Sequence, residues 1–245
     1  MLDMRANQTR FDAGGNRLLA ALRQSDLNVL APHLKRVALA RGQVLFEPGE
    51  DVVRTHFPCH STMVSLLVSA ASGHDVEVAT IGREGAVGGI VSSGNKPAFG
   101  RAQVQLGGEA LIIETARLED AKASSPAFGD LFSRYADSLL AQAMQGVACN
   151  ALHSIEQRCC RWLLAAHDRA GSATIHLTQE ALAEMLGCQR TSVTAVCQGL
   201  QEQGLIRYSR GRIDILDRRR MEKVACECYS AVEGHFQRLL PEVAD

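Results

Sequence analysis

The stretch TQEALAEMLGCQRTSVTAVCQGL, residues 178–200, decides the fold of the C-terminal part of the chain. Thr178 is suited to cap the start of a helix, because its hydroxyl can accept a hydrogen bond from a free backbone N–H group. Gly187 is suited to a turn, because glycine adopts a left-handed backbone conformation at little steric cost. The residues that helical spacing turns inward are apolar or small: Leu182, Ala183 and Leu186 before the turn, and Val193, Val196 and Leu200 after it. This arrangement predicts a helix-turn-helix.

The outward side of the second predicted helix is polar. Its residues are Gln189, Arg190, Thr191, Ser192, Thr194, Ala195 and Gln198. Side chains of this reach read base edges in the major groove, and an arginine can bind guanine through two hydrogen bonds. We expect Arg190 to make the main base contact, and we expect neighbouring bases or phosphates to be contacted by Gln189, Thr191, Ser192 and Thr194.

The segment LIRYSRGRIDIL (205–216) predicts a hairpin that would form a wing beside these helices. Arg210 and Arg212 would lie near its tip and bind phosphate, as would Thr178 and Gln179. Residues 188–223 contain eight arginines and lysines but four aspartates and glutamates, within a chain of net charge -1. A confined basic patch indicates contact with a phosphate backbone. The alternative is a pair of core helices with a solvated charged face.

The N-terminal part has a different texture. Eleven glycines lie within residues 42–108 and separate short β-type runs, at 44–46, 63–68, 76–78, 104–106 and 111–113. Short strands punctuated by glycine turns predict an antiparallel sandwich or barrel. The predicted fold class is therefore α+β, with a jelly-roll-like β-roll before the winged helix-turn-helix.

A long helix is predicted to follow the β-roll, over about 126–149. Pro126 suits its first turn, and Ser124 or Ser125 suits its cap. Apolar residues then recur at helical spacing: Phe128, Leu131, Phe132, Tyr135, Leu139, Met144 and Val147. We expect one stripe to pack on the β-roll, and a second, including Ala136, Ala143 and Ala148, to pack on another copy of the helix. The alternative is a core helix. The predicted domains are residues 1–150 and 151–245.

Composition excludes several classes of protein. The near-neutral net charge excludes a globally basic nucleic-acid coat, and no apolar run approaches the roughly 18 residues of a membrane span. The polar N-terminus carries no secretory signal, and eight cysteines in a chain of this length favour a reduced, cytoplasmic protein. No Walker-type loop, HExxH pair or nucleophile elbow is present, so the sequence does not predict an enzyme.

Over roughly residues 18–225 the chain resembles the Crp/Fnr family of bacterial transcription regulators. The resemblance rests on residues 177–217 and on GQVLFEPGE (42–50) and VEVATIGREGAVGG (76–89), which look like turns of the family's cyclic-nucleotide-binding-like β-roll. It implies a homodimer that inserts its recognition helices into successive major grooves of a two-fold symmetric site on double-stranded DNA. It also implies contact with RNA polymerase.

The sequence departs from that family at its ligand-binding positions. The glutamate that binds ribose in cyclic-AMP-binding members corresponds to about Gly89, and the phosphate-binding pair corresponds to Gly100 and Arg101. The first 58 residues contain no cysteine, unlike the iron–sulfur branch. Neither cyclic AMP nor an iron–sulfur cluster is therefore expected, and the effector stays unidentified. The residues expected to border an effector pocket are Gly85, Gly88, Gly89 and Arg101.

Two further groups of residues raise a competing hypothesis. Residues 56–60, HFPCH, place two histidines and a cysteine together in an expected loop, and Cys226 and Cys228 could form a thiol switch with His235. Chance proximity is the commoner origin of such groups, and no metal site is predicted. The competing hypothesis is a ligand-binding, redox-sensing or metal-sensing module that acts through a protein partner.

Overall fold

The computed structural model describes residues 13, 15–69, 71, 73, 75–90, 96–170 and 174–240. The N-terminal elements are α1 (Arg17–Ala20), α2 (Gln24–Leu30), a 3-10 turn (Ala31–His33), β1 (Lys35–Leu39), β2 (Val44–Phe46), β3 (Arg54–Pro58), β4 (Met63–Ser69), β5 (Asp75–Ile81), β6 (Arg101–Leu106), β7 (Gly108–Glu114) and α3 (Thr115–Ser124). The remaining elements are α4 (Pro126–Leu152), α5 (Ile155–Ala170), β8 (Thr174–His176), α6 (Gln179–Leu186), α7 (Arg190–Glu202), β9 (Ile206–Ser209), β10 (Arg212–Ile215), α8 (Arg218–Val224) and α9 (Cys228–Leu239).

Strands β1 to β7 form a β-roll of two antiparallel sheets, with strand orders β1-β7-β3 and β2-β6-β4-β5. The α+β fold class is therefore confirmed, and the five predicted runs are strands β2, β4, β5, β6 and β7. Strands β1 and β3 were not predicted, because Lys35, Arg36 and Arg54 interrupt their apolar pattern. Both strands pair with β7, so their formation depends on this neighbouring strand and cannot be predicted from their own sequences.

Helix α4 begins at Pro126, directly after the cap residue Ser125, as the sequence predicts. The Ser125 hydroxyl accepts a hydrogen bond from Phe128 N at 3.3 Å, and Pro126 occupies the first turn. The Tyr135 hydroxyl lies 2.9 Å from Ala86 N, from which it accepts a hydrogen bond, and 3.0 Å from Ala86 O, to which it donates. This first half of the helix is thereby fixed to the β-roll.

The second half of α4 differs from its expected packing. Met144 and Val147 were expected to continue the apolar stripe of Phe128 and Tyr135, but their side chains are 64% and 72% exposed. Leu140 and Leu152 are exposed as well. The apolar stripe is buried in the first half of α4 and exposed in the second, because α4 extends to residue 152, beyond the elements on which its first half packs.

The β-roll and the C-terminal part share one apolar core. Met63, Leu67 and Leu106 of the roll pack with the buried residues of α5, α6 and α7. Helix α6 lies against β5, and the fully buried Trp162 of α5 is the largest side chain in this core. Burial of apolar area contributes about 25 cal/mol per Å², so the shared core stabilises one arrangement of the two parts.

Two polar contacts cross the same junction. Trp162 Nε1 donates a hydrogen bond to Glu77 Oε1 at 2.9 Å, and Arg169 Nε pairs with Glu84 Oε1 at 2.9 Å. Burial raises the pKa of the Glu77 carboxyl, although the Ser65 hydroxyl, Arg161 and the Trp162 indole favour its charged form. The orientation of α5 is therefore tied to strand β5 and to the turn that follows it.

The C-terminal helix α9 returns to the N-terminal part. It packs along α4, and Arg134 Nη1 of α4 donates to Leu239 O at 3.0 Å. Phe236 of α9 is buried with residues of the β-roll core. Within the described part of the chain, no helix is both long enough and apolar enough to cross a bilayer.

Candidate nucleic-acid interface

The turn between α6 and α7 has the geometry that its sequence predicts. Thr178 Oγ1 accepts a hydrogen bond from Ala181 N at 3.2 Å and so caps α6. Gly187 ends α6 at φ 59° and ψ 43°, in the left-handed region, and Cys188 N donates to Ala183 O at 3.0 Å. The small side chain of Ala183 leaves room for this close approach.

Helix α7 presents one apolar face and one polar face. Val193, Cys197 and Leu200 are fully buried, and Val196 is half-buried against the same core, as its inward position predicts. On the opposite side Gln189, Arg190 and Thr191 are exposed, while Ser192 and Thr194 are half-buried. Helix α7 packs mainly on α5, α6 and strand β9. The face is therefore open to a partner.

The structure brings two predicted contact residues into direct contact. Thr194 Oγ1 lies 2.7 Å from Gln179 Oε1, where it can donate a hydrogen bond, and 3.0 Å from Arg190 O. With its oxygen engaged, the Gln179 amide keeps its N–H donors for another acceptor. The start of α6 and the middle of α7 thus form one continuous polar surface.

The wing is a tight hairpin whose turn contains Arg210. Ser209 pairs with Arg212 across β9 and β10, which leaves a loop of Arg210 and Gly211 at φ 48° and 74°. Two consecutive left-handed residues define a type I′ turn, which an arginine adopts at some cost. A Cβ on Gly211 would lie 3.6 Å from Thr178 Cγ2, so the wing tip adjoins the start of α6.

Strand β8, which the sequence analysis did not predict, completes the wing as a three-stranded sheet in the order β8-β10-β9. It brings Thr174 beside Asp214, whose Oδ1 accepts from Thr174 Oγ1 at 2.6 Å and pairs with Arg212 Nε at 3.1 Å. The Thr174 hydrogen bond and the Arg212 charge outweigh desolvation and lower the pKa of the Asp214 carboxyl. Arg212 is therefore partly neutralised within the wing, whereas no carboxylate among the described residues pairs with Arg190 or Arg210.

The residues expected at an effector pocket lie in ion-paired or closely packed surroundings. Arg101 forms ion pairs of 2.8 Å with Glu47 and with Asp75. A Cβ on Gly85 would overlap the Tyr135 hydroxyl, and one on Gly89 would lie 3.0 Å from the Phe132 ring. A Cβ on Gly88 would lie 2.6 Å from Val52 Cγ1. These three glycines serve close packing.

The HFPCH segment is likewise structural. His56, Phe57 and Pro58 belong to strand β3 instead of the expected loop, and Cys59 is buried directly after it. Burial, with a smaller effect of the Arg54 charge, lowers the pKa of His56 to about 4. The His56 imidazole is therefore neutral at neutral pH and lies buried in the β-roll.

A cavity of about 570 Å³ lies at the junction of the β-roll, α5 and α9. Its lining includes four arginines, three carboxylates and three aromatic side chains: Arg17, Arg83, Arg161, Arg169, Glu84, Asp168, Glu233, Trp162, Tyr229 and Phe236. This volume is typical of small-molecule sites. The residues that were expected to border an effector pocket do not line this cavity: Gly85, Gly88, Gly89 and Arg101.

The helix pair α6–α7, with the adjoining wing, defines a winged helix-turn-helix DNA-binding domain. Residues 157–224 match the family model of the Crp-like helix-turn-helix domain. These residues therefore form a Crp-like helix-turn-helix domain, and the chain is a DNA-binding transcription regulator. No curated protein matches its sequence.

Solved structures with low sequence identity share the fold of about four fifths of this chain. FixK2 from Bradyrhizobium japonicum is 15% identical, with a TM-score of 0.66 over 79% of this chain and 98% of that chain. The c-di-GMP-responsive global regulator CLP of Xanthomonas campestris is 15% identical, with a TM-score of 0.64 over 80% and 100%. TTHB099, a CRP-family transcriptional regulator of Thermus thermophilus, is 19% identical, with a TM-score of 0.63 over 78% and 96%.

Proposed function

We propose that this regulator binds a two-fold symmetric operator as a homodimer, through the open polar face of α7. The observation that carries the proposal is the continuous surface formed by the start of α6, the exposed side of α7 and the wing turn. In a dimer the two copies of α7 would enter major grooves about 34 Å apart. Residues 1–150 would then form the regulatory domain and residues 151–245 the DNA-binding domain.

The proposed DNA contacts are assigned to bases or to phosphates according to the length of each side chain and its existing ion pairs. Arg190 lies at the first turn of α7, exposed, and it is placed to bind a base edge. Gln189, Thr191 and Ser192 would contact neighbouring bases or phosphates. Phosphate contacts fall to Thr178, Gln179, Arg210 and Arg212, with Arg210 contributing more than the ion-paired Arg212.

Dimerisation would use the exposed second half of α4. Leu140, Met144 and Val147 lie at spacings of four and three residues, so they form one apolar row along the helix. A parallel copy of the helix would cover this row. By family resemblance the DNA-bound dimer would contact RNA polymerase, act in the cytoplasm and catalyse no reaction.

Replacing Arg190 with alanine should remove one base contact. We expect Arg190→Ala to weaken binding by about 1–3 kcal/mol on an operator selected from a random DNA pool, and to relax the preference at one base pair per half-site. Fluorescence anisotropy at fixed salt, on the operator and on scrambled DNA, measures both effects. Equal losses on the two DNAs would contradict base readout by Arg190.

Replacing Arg210 with asparagine separates charge from turn geometry. Asparagine is favoured in the type I′ turn, so Arg210→Asn removes the cation while the hairpin stays intact. We expect weaker binding to operator and scrambled DNA alike, with the salt-dependence slope reduced by about 1 per chain. Arg212→Gln is the matched comparison and should have a smaller effect, since Asp214 already pairs with Arg212. An unchanged slope for Arg210→Asn would remove Arg210 from the phosphate contacts.

A charge placed in the apolar row of α4 should separate the subunits. We expect the wild-type protein to have twice the chain mass of 26.5 kDa by light scattering, and Met144→Glu to have the single-chain mass at micromolar concentration. The reason is that two buried carboxylates would face each other across the two-fold axis. Val29→Glu, at an equally exposed apolar residue of α2, is the control and should stay dimeric. A dimeric Met144→Glu protein would exclude this face.

The cavity supports control by a small-molecule effector, because it lies between the two parts of the chain and is lined by four arginines together with the carboxylates of Glu84, Asp168 and Glu233. The chain has one tryptophan, Trp162, and it lines this cavity. We expect cyclic di-GMP to change the Trp162 emission saturably, and cyclic AMP to leave it unchanged because the family's cyclic-AMP contacts are missing. Trp162→Phe provides the blank. Constant emission with cyclic di-GMP would remove it as the effector of this cavity.

A further inference from the structure

Four side chains that the DNA-binding surface does not use converge at the end of α4. Cys149 lies in the last turns of α4, His153 is the residue that ends this helix, and Cys226 and Cys228 flank the start of α9. Their three sulfur atoms and one imidazole nitrogen all lie within 4.8 Å of one another. Within the described part of the chain, the fold brings these four metal-ligating side chains close enough together to bind one ion.

Two distances within the cluster are close to those between ligands of a tetrahedral metal site. Cys149 Sγ lies 3.5 Å from Cys226 Sγ, and Cys228 Sγ lies 3.5 Å from His153 Nδ1. A zinc ion with Zn–S bonds of about 2.3 Å and a Zn–N bond of about 2.0 Å holds its ligands roughly 3.5–3.8 Å apart. Three cysteines and one histidine are also a ligand set of structural zinc sites.

The groups around the cluster support the ligands from outside. His153 Nε2 lies 3.2 Å from Glu227 Oε1, so this nitrogen carries the proton and Nδ1 is left to face the sulfur atoms. A carboxylate that holds a ligating histidine in this way recurs at zinc sites. The Gln145 amide donates to Cys228 Sγ at 3.0 Å, and the charge of Arg161 acts on Cys149. The Gln145 N–H group and the Arg161 charge would partly offset the negative charge of three thiolates around one divalent ion.

The other cysteines lack these features. Cys159, Cys160 and Cys197 are buried in the apolar core of the helix-turn-helix, and Cys59 is buried within the β-roll. A disulfide between Cys149 and Cys226 would use two of the four clustered side chains and would leave the His153–Glu227 pair without a role. The histidine of the cluster is His153, whereas the sequence analysis had associated His235 with Cys226 and Cys228.

We propose that Cys149, His153, Cys226 and Cys228 bind one Zn²⁺ ion. The ion would join the end of α4 to the start of α9, and so it would fix the connection between α4 and the DNA-binding domain. The site has four protein ligands and no open position, which is the arrangement of a structural site. Cobalt, with the same coordination preference, would occupy it as a spectroscopic probe.

Metal content of the full-length chain, purified under reducing conditions, tests the proposal directly. Elemental analysis should give one zinc per chain for the wild type, and less than a tenth of that for Cys226→Ser and Cys228→Ser. Cys188→Ser is the matched control and should retain full zinc, because Cys188 is a half-exposed cysteine outside the cluster. Wild-type protein that neither retains zinc nor binds added Zn²⁺ at micromolar concentration would overturn the proposal.

A second variant avoids disturbing the buried sulfur atoms. Glu227 is 76% exposed, so Glu227→Gln should fold normally, yet it should weaken zinc binding 10–100-fold in competition with a chromophoric chelator. Glu184→Gln, at an exposed position of α6, should leave zinc affinity unchanged. Equal affinities of Glu227→Gln and wild type would contradict the assigned role of Glu227 and the orientation of His153.

Spectroscopy and thiol mapping separate the metal site from a redox switch. Cobalt added to zinc-free protein should produce tetrahedral d–d bands and an intense thiolate-to-cobalt charge-transfer band, both absent from Cys149→Ser. Mass spectrometry of protein isolated with its thiols blocked should find Cys149, Cys226 and Cys228 reduced. A Cys149–Cys226 disulfide in that material would assign the cluster to a thiol switch and overturn zinc binding.

Discussion

The buried carboxylate of Glu77 constrains the whole molecule, because it must be satisfied by donors from both halves of the chain. Ser65 and Thr80 reach it from the β-roll, and Trp162 reaches it from α5. A typical intramolecular hydrogen bond contributes about 1 kcal/mol, so the Trp162–Glu77 bond favours the contact of α5 with β5. The position of the helix-turn-helix is thereby coupled to the interior of the β-roll.

Helix α4 connects several parts of the molecule. Its first half is fixed by Tyr135 to the turn that contains Ala86, and its length is bordered by α9. Its second half leaves Leu140 and Met144 exposed, and its last turns hold Cys149 next to Cys226. One helix therefore contacts the β-roll and α9, and it leaves exposed the apolar row that we propose as the dimer interface.

Features that act over a few residues could be predicted from the sequence, whereas those that join distant segments could not. The Ser125 and Thr178 caps and the Gly187 turn each depend on atoms within about five residues, and each is found where the sequence places it. Glu77 and Trp162 are 85 residues apart, and Cys149 and Cys226 are 77 apart, so no local pattern pairs them. The available signal was the spacing Cys149-x3-His153 with Cys226-x-Cys228, which becomes informative only when α9 is known to return to α4. The division of α4 into buried and exposed halves was equally hidden, because both halves carry the same apolar spacing.

The separation between two recognition helices in a dimer depends on how each DNA-binding domain is oriented about the end of α4. Three contacts set this orientation: Trp162 with Glu77, Arg169 with Glu84, and the cysteine cluster with His153. Two of them border the large cavity, and Cys228 lines the cavity as well as belonging to the cluster. Because Arg169 and Trp162 face this space, an anion bound there would compete with Glu84 and Glu77 for their donors. A ligand could therefore change the spacing of the recognition helices without contacting α7, and a metal ion at the cluster would limit how far that change extends.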